Sequence, residues 1–326
     1  MKNIDSGTIR EILVVSLSNL GDVILTTPVM VALRDAYPKS FISVVIGPKA
    51  ELLLRGSKTI DKVIVYDKKN LGIRGKIDFV RELRKRPYDL VIDLRNTLIP
   101  YLVKTRFRNG LLRSSQISMR DRHLSRLQFL NLPEPKGKFD FFSEQEARSA
   151  HEKLMQNGIS WERGFLVMAP GAGSYLKRWK VESLREVANH FLSRGKQVVT
   201  VGSEEERGLG DKLQSVLPGK PINLCGSLTL RELAAILNDS SLVLCSDSGI
   251  MHLANELNAP VVSIFGPTDE RKYAKSSAHT KVIRKRLDCT PCELARCRFE
   301  RQHCMEDIAP AEVIRACEEL LSASAD

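Results

Sequence analysis

Short runs of β-branched and aliphatic residues alternate with longer stretches of helical periodicity along most of the chain. An apolar run without alternating polar positions predicts a strand that is buried on both faces of a sheet. In the first half the predicted strands are Ile12–Ser16, Phe41–Ile46, Val63–Tyr66 and Leu90–Asp93. Helices are predicted from Val23 to Tyr37 and at Ile77–Lys85.

The alternation begins again in the second half of the chain. The predicted strands there are Phe165–Ala169, Gln197–Val201, Leu242–Ser246 and Val261–Phe265. The predicted helices are Glu144–Gln156, Val181–Ser193, Glu204–Leu217, Leu230–Leu237, Gly249–Leu257 and Pro310–Ser322. Because strands that alternate with helices pair in parallel, the pattern predicts an α/β fold with two doubly wound, Rossmann-like domains.

Proline and glycine residues between Leu132 and Gly164 interrupt the pattern and predict a domain linker. We place an N-terminal domain at residues 1–145 and a C-terminal domain at residues 146–326, whose last helix could pack back on the first domain. The length of 326 residues suits two domains of about 150 residues each. Ligands of doubly wound folds bind at the carboxyl ends of the strands, so we expect an active site in a cleft between the two sheets.

The chain carries 50 basic and 39 acidic residues, which give a net charge of +11. This excess favours a polyanionic partner, and charge alone leaves open nucleic acid, an anionic membrane surface or a phosphorylated substrate. No apolar run approaches the roughly 18 residues that a membrane span needs. The segment Met1–Arg10 contains Asp5 and lacks the apolar core of a signal peptide, so we expect a cytoplasmic protein.

The segment Ser246-Asp247-Ser248-Gly249-Ile250-Met251-His252 follows a predicted strand and begins a helix. Asp247 and Ser248 are suited to cap this helix, and Gly249 lets a ligand approach the backbone. The N–H groups of a helix N-terminus bind phosphate or diphosphate, and His252 lies one turn further along the same face as Ser248. A capped helix with a surface histidine would have the same sequence, so this segment alone leaves anion binding open.

A second glycine-rich turn, Pro170-Gly171-Ala172-Gly173, follows another predicted strand. Glycine frees the backbone to fold round a ligand, and Ser174 and Lys177 can bind phosphate oxygens. The turn matches neither the Walker pattern nor the Gly-x-Gly-x-x-Gly dinucleotide fingerprint. Glu204, after the next strand, could hydrogen-bond ribose hydroxyls, although acidic residues also favour the start of a helix.

The pair Gly21-Asp22 follows the first strand of the other domain. A carboxylate at the end of this strand can accept the proton of a hydroxyl group as that hydroxyl attacks. A plain N-cap role would explain Asp22 equally well.

Together these segments resemble the ADP-heptose–lipopolysaccharide heptosyltransferases, glycosyltransferase family nine. The resemblance is carried in order by Gly21-Asp22-x4-Thr27-Pro28, Lys177-x-Trp179, Asp247-Ser248-Gly249-x2-His252 and Phe265-Gly266-Pro267-Thr268. It covers nearly the whole chain, from Ile12 to the last predicted helix. It implies a two-domain GT-B fold and an inverting, metal-independent glycosyltransferase without a required cofactor. In agreement, the sequence has no Asp-x-Asp pair, the usual metal ligand of the other glycosyltransferase fold.

The function implied by the resemblance is transfer of a heptose from ADP-L-glycero-D-manno-heptose to the inner core of lipopolysaccharide. An alternative keeps the fold and chemistry with a different nucleotide sugar or glycan acceptor. By the resemblance Asp22 is the general base, and Lys177 with Ser174 stabilises the departing ADP diphosphate. The implied nucleotide-sugar site comprises Gly171, Gly173, Ser174, Lys177, Glu204, Asp247, Ser248, Gly249 and His252.

The first domain is implied to bind the acceptor, a Kdo-lipid A or a heptosylated core. Gly21 and the arginines Arg120, Arg122 and Arg126 are the candidate acceptor residues, since guanidinium groups pair with phosphates and carboxylates. The same basic segment suits peripheral contact with the anionic inner face of the inner membrane. Nucleic acid is disfavoured because few aromatic residues interleave with the arginines. Many relatives have Lys or Arg where this chain has Ser16, which affects the acceptor contacts near the first strand.

Four of the seven cysteines, Cys289, Cys292, Cys297 and Cys304, lie within 16 residues of one another. Four thiolates at such spacing could form a structural zinc site, distinct from any catalytic metal. Reduced thiols or a redox-sensitive pair explain the same segment, and we favour these over bound metal.

Two functions of other classes remain open at this point. A nucleotide-dependent oxidoreductase could use one parallel sheet, although the dinucleotide fingerprint is missing. A basic binding protein for nucleic acid or anionic lipid would show steeply salt-dependent affinity and no sugar transfer.

Overall fold

The computed structural model describes residues 8–17, 19–68, 70–111, 115–214 and 221–323. It contains two parallel sheets flanked by helices, which confirms the predicted α/β class. The chain divides into two compact units, residues 1–141 and residues 142–326. This division falls four residues before the boundary that we placed from the sequence.

The first unit has five described strands: β1 (Glu11–Val15), β2 (Phe41–Ile46), β3 (Lys62–Val65), β4 (Tyr88–Asp93) and β5 (Thr105–Arg108). They pair in parallel in the order β3-β2-β1-β4-β5. Its α-helices are α1 (Leu20–Ile24), α2 (Thr27–Ala36), α3 (Glu51–Leu54), α4 (Ile73–Arg84), α5 (Ile99–Leu102) and α6 (Met119–Leu124). Short 3-10 helices cover Pro48–Ala50 and Ser125–Leu130.

The single helix that we predicted from Val23 to Tyr37 consists of two helices, α1 and α2. Pro28 is the second residue of α2 and has no N–H to donate to the carbonyl of Ile24. The hydroxyl of Thr27 donates to that carbonyl at 2.8 Å. The resulting break turns the chain directly after Asp22 and the rest of α1.

The second unit has six described strands: β6 (Phe165–Ala169), β7 (Gln197–Thr200), β8 (Ile222–Asn223), β9 (Leu242–Ser246), β10 (Val261–Phe265) and β11 (Thr280–Arg284). They pair in parallel in the order β11-β10-β9-β6-β7-β8. Its α-helices are α7 (Glu144–Gln156), α8 (Val181–Leu192), α9 (Arg207–Gln214), α10 (Leu230–Asp239), α11 (Gly249–Leu257), α12 (Glu270–Tyr273), α13 (His303–Glu306) and α14 (Pro310–Ala323). Short 3-10 helices cover Tyr175–Lys177 and Glu204–Glu206.

One helix of the second unit differs at its start from the sequence-based expectation. The helix predicted at Glu204–Leu217 begins as a 3-10 turn before α9, and its last three predicted residues lie outside the described residues. The last helix, α14, buries Val313, Cys317 and Leu320 in the core of the second unit itself. Within the described ranges, no helix combines the length and the apolar character that crossing a bilayer requires.

Candidate active site

Both sheets reverse their winding between two central strands, β1 and β4 in the first unit and β6 and β9 in the second. The loops that leave such strands diverge and open a crevice for a ligand. In the second unit the glycine turn that starts at Pro170 follows β6, and Asp247 follows β9. Because Ala169 pairs with Cys245, these two segments leave the sheet side by side.

Asp247 is the centre of a largely buried ion pair. Lys177 Nζ donates to Asp247 Oδ2 at 2.6 Å, and the hydroxyl of Thr268 donates to the same oxygen at 2.8 Å. His252 Nε2 lies 4.0 Å from the other carboxylate oxygen, Oδ1. The side chain of Asp247 is 4% exposed, whereas that of Lys177 is 28% exposed. The buried carboxylate therefore fixes an ammonium group that solvent can still reach.

The N-terminus of α11 has no side-chain cap. Ser248 occupies the N-cap position, but its hydroxyl is buried and has no hydrogen-bond partner among the residues that the structure describes. Asp247 directs its carboxylate to Lys177 and Thr268 instead. The prediction that these two residues cap the helix is therefore wrong. The first N–H groups of α11 lack an acceptor from a capping side chain, which is the arrangement that suits an external anion.

The two glycines of the Pro170–Gly173 turn have different roles. A Cβ atom at Gly171 would come within 1.8 Å of the Glu206 carboxylate, so a larger residue there would displace the Glu206 side chain. Nothing lies within 4 Å of the corresponding position at Gly173, and this residue is exposed. Arg178 donates from Nε and Nη2 to the carbonyl of Ala172 and fixes the turn. Gly173 is therefore the member of the pair with room for a ligand.

Ser174 and Glu204 are already engaged by neighbouring residues. The hydroxyl of Ser174 accepts a hydrogen bond from the N–H of Leu176 at 3.3 Å and begins the 3-10 helix that carries Lys177. Glu204 receives two hydrogen bonds from Arg207, at 2.7 and 2.8 Å, which lower the pKa of its carboxyl. Its side chain is exposed at the carboxyl end of β7, as a ribose contact requires.

Two neighbours of Lys177 were not singled out from the sequence. Thr268 belongs to the Phe265–Thr268 motif, which supported the family resemblance but did not assign Thr268 a role in the site. Tyr273, on α12, places its ring centroid 5.9 Å from Lys177 Nζ and 6.3 Å from the ring of His252. No motif marks Tyr273, so only the folded chain reveals that it borders this site.

In the first unit Asp22 is the third residue of α1, so it is not the N-cap, a position that Asn19 occupies. Its carboxylate lies 3.8 Å from the guanidinium of Arg95, which follows β4, and is 28% exposed. Gly21 precedes it in the same turn. Ser16 is fully buried, and its hydroxyl forms a hydrogen bond of 2.7 Å with the hydroxyl of Thr26. This hydroxyl therefore stabilises the interior of the first unit.

Arg95 and His123 are site residues that sequence reasoning missed. His123 is 2% exposed, and its Nε2 has no hydrogen-bond partner within the described ranges. Burial and the positive charge of Arg95 lower the pKa of His123 to about 4, although Asp22 opposes this shift. A neutral imidazole thus lies close to Asp22. The sequence gave no signal that His123 is near Asp22, because His123 stands among arginines in a basic segment without a motif.

The three predicted acceptor arginines do not form one group. Arg126 is buried and donates to the side-chain oxygen of Asn96 and the carbonyl of Gly110. Arg122 donates to the carbonyl of Gln116. Arg120 lines a separate cavity of about 380 Å³ between α2 and α6. Arg122 and Arg126 both lower the pKa of His123, which places them near the Asp22 region.

The four clustered cysteines line one small cavity together with Leu176 and Pro267. All are free thiols, and burial raises the pKa of Cys304. In the described part of the chain, no three His, Cys, Asp or Glu side chains are grouped so that they could hold a metal ion. The described residues therefore give no support to the structural zinc site considered from the sequence. The N–H groups of Cys292 and Glu293 instead bond to the carbonyl of Pro267 and tie this loop to the segment that carries Thr268.

Comparisons with known proteins find relatives of one family. The model of glycosyltransferase family 9 (heptosyltransferase) matches residues 114–303. The lipopolysaccharide core heptosyltransferase OpsX of Haemophilus influenzae is 24% identical over 78% of this chain and 79% of its own length. Lipopolysaccharide heptosyltransferase 3 of Escherichia coli is 27% identical over 76% of this chain and 80% of its own. Among solved structures, a family 9 glycosyltransferase of Veillonella parvula has a TM-score of 0.83 at 26% identity and covers 99% of both chains. The ADP-heptose lipopolysaccharide heptosyltransferase II of Escherichia coli has a TM-score of 0.77 at 23% identity, covering 97% of this chain and all of that one.

Proposed function

The chain belongs to glycosyltransferase family 9, and we therefore propose that it transfers a heptose from ADP-L-glycero-D-manno-heptose to the inner core of lipopolysaccharide. Relatives that align with more than three quarters of the chain are named as heptosyltransferases of lipopolysaccharide. The acceptor of such a reaction is a lipid-linked glycan. The proposal accordingly places the enzyme at the cytoplasmic face of the inner membrane.

The observation that carries the proposal is the Lys177–Asp247 pair beside the uncapped N-terminus of α11. The leaving group of the reaction is ADP, whose diphosphate gains negative charge as the sugar departs. An ammonium group and free helix N–H groups stabilise that charge better than another carboxylate could. His252 and Gly249 border the same position, and Gly173 and Glu204 complete the proposed donor site.

The proposed acceptor chemistry is centred on Asp22. Its carboxylate takes the proton of the acceptor hydroxyl while the hydroxyl oxygen bonds to the anomeric carbon and the bond to ADP breaks. This single displacement inverts the anomeric configuration. Arg95 and the predicted Arg122 would bind phosphate or sugar-acid groups of the acceptor. The buried Arg126 would instead hold Asn96 and Gly110 in place beside them. The reaction requires the first unit to present Asp22 to a donor held by the second.

The test measures ADP release from a panel of nucleotide sugars in the presence of Kdo-lipid A or a heptosylated core. We expect release with ADP-heptose that depends on acceptor and persists in a chelator. Faster release with another ADP-sugar or another glycan would identify a different substrate for the same chemistry. No release from any nucleotide sugar would overturn the proposed function.

A further inference from the structure

The outer surface of α4 and α5 exposes an uncommon amount of apolar side chain. Among thirteen exposed large apolar residues in the described ranges, five lie on or beside these two helices, and Ile73 reaches 78% exposure. We call the following five residues the α4–α5 patch: Ile73, Ile77, Leu98, Tyr101 and Leu102. Single exposed apolar residues are ordinary, whereas a contiguous group marks an interaction surface.

The two helices are neighbours in the first unit. Arg84, the last residue of α4, donates to the carbonyl of Leu102, the last residue of α5, at 2.5 Å. Leu83 and Ile99 bury the inner sides of these helices in the same core cluster. Ile73 and Ile77 are one helical turn apart and therefore share a side of α4.

Exposed basic residues accompany the patch on α4 and around β5. The exposed cations are Arg74, Lys76, Arg81 and Arg84 on α4, and Lys104, Arg106 and Arg108 on or before β5. The guanidinium of Arg108 lies 4.5 Å from the ring centroid of Tyr101. The acids of α4 are already paired, Asp78 with Arg81 and Glu82 with Lys85. From Arg95 to Arg120 the sequence has no acidic residue, so these segments carry a net positive charge.

We propose that the α4–α5 patch docks the enzyme on an anionic phospholipid bilayer. Apolar side chains that enter the headgroup region and cations that meet lipid phosphates together give reversible binding, and tyrosine favours the same interface. A protein partner would need both an apolar surface and an acidic rim of matching shape, whereas an anionic bilayer offers both without such a match. The inference rests on the proposed function in one respect, that a lipid-linked acceptor requires the enzyme to reach a membrane.

The test uses the full chain and sedimentation with vesicles of phosphatidylethanolamine and phosphatidylglycerol. We expect binding that weakens with salt and is at least about tenfold weaker on pure phosphatidylcholine. The double variant Ile73→Asp, Ile77→Asp should lose at least about tenfold in vesicle affinity, since two apolar anchors become anions. Met155→Asp is the matched control, because Met155 is also an exposed apolar residue of a helix but lies in the second unit. Its affinity should equal that of the unchanged chain.

Equal vesicle affinity of the double variant and the unchanged chain would overturn the docking proposal. So would a change of the double variant from dimer to monomer in light scattering without a loss of vesicle binding, since the patch would then join two copies. Vesicle affinity is measured without donor or acceptor, so it can hold while the proposed function fails. Conversely, transfer to a soluble, deacylated acceptor should be unchanged in the double variant, which separates docking from catalysis.

Discussion

Lys177 is the residue on which the proposed donor site depends most directly. Its ammonium is the accessible half of a pair whose other half, Asp247, is almost fully buried. Lys177→Ala should weaken ADP binding by about ten- to a hundredfold, because a charge-assisted hydrogen bond is lost. Calorimetric titration with ADP measures this effect. Lys180→Ala is the control, since Lys180 is nearby but pairs with Glu306; equal losses in both variants would argue against a specific phosphate contact.

Asp22 should affect turnover rather than donor affinity. Asp22→Asn keeps the size of the side chain but cannot take a proton, so kcat should fall by at least about a hundredfold. The Kd for ADP should stay unchanged because the proposed donor site belongs to the other unit. Single-turnover transfer with radiolabelled acceptor gives the rate. Full activity of this variant would remove Asp22 from the mechanism.

The sequence predicted some contacts between residues and could not predict others. Lys177 and Asp247 stand in motifs that follow strands, and the structure joins them directly. Ser248 was expected to cap α11 and does not. Whether a serine at this position caps a helix depends on the direction of its hydroxyl group, which the sequence does not give. His123 stands in a plain basic segment, and only the fold brings it near Asp22 and Arg95. Local motifs therefore locate the ends of strands, whereas contacts between residues from separate segments become visible only in the tertiary structure.

At the scale of elements, α7 and α10 are joined through Glu232. Its carboxylate accepts hydrogen bonds from Ser149 and Lys153 of α7 and closes a capping box with Thr229. Burial alone would raise the pKa of Glu232, but these hydrogen bonds outweigh it and hold the pKa at about 2. The pKa of the folded state is thus below the ordinary value of 4.5.

This junction should lose stability in acid. A depressed pKa contributes stability above the unfolded value, and that contribution disappears as the pH falls from about 4.5 towards 2. Glu232→Gln should be less stable than the unchanged chain at pH 6, by at most about 3 kcal/mol. The difference in the free energy of unfolding between the two proteins should become smaller as the pH falls towards 3. Urea unfolding of both proteins between pH 3 and pH 6 measures this difference, and a constant value would contradict the assignment.

Strands that are mostly apolar were predictable from the sequence, and short or mixed-polarity strands were not. The predicted bounds of Phe41–Ile46, Leu242–Ser246 and Val261–Phe265 are confirmed to the residue, because these strands are apolar on both faces. Strands β5, β8 and β11 were missed, whereas the edge strand β3 was predicted as Val63–Tyr66. Strands β5 and β11 mix basic with apolar residues, and β8 has only two residues, so these patterns do not separate them from loops.

At the scale of the whole molecule, the proposal assigns donor binding to the second unit and acceptor chemistry to the first. All the contacts described for Lys177, Asp247 and His252 lie within residues 142–326. That segment expressed alone should therefore bind ADP within about tenfold of the full chain and show no transfer. Calorimetry measures the affinity, and circular dichroism verifies folding. A folded segment that fails to bind ADP would mean that the first unit supplies donor contacts.

The pairing of Lys177 with Asp247 also has a consequence for the enzyme between turnovers. Because the ammonium is already neutralised by a carboxylate, the vacant site carries less excess charge to retain the inorganic phosphate and small anions of the cell. If Lys177 binds the ADP diphosphate as proposed, the diphosphate would share this lysine with Asp247, and the nearby helix N–H groups would favour a ligand long enough to reach both the lysine and the helix. On the same proposal, the Asp247 carboxylate would balance the charge of Lys177 again when ADP leaves, so product release would leave no isolated charge behind.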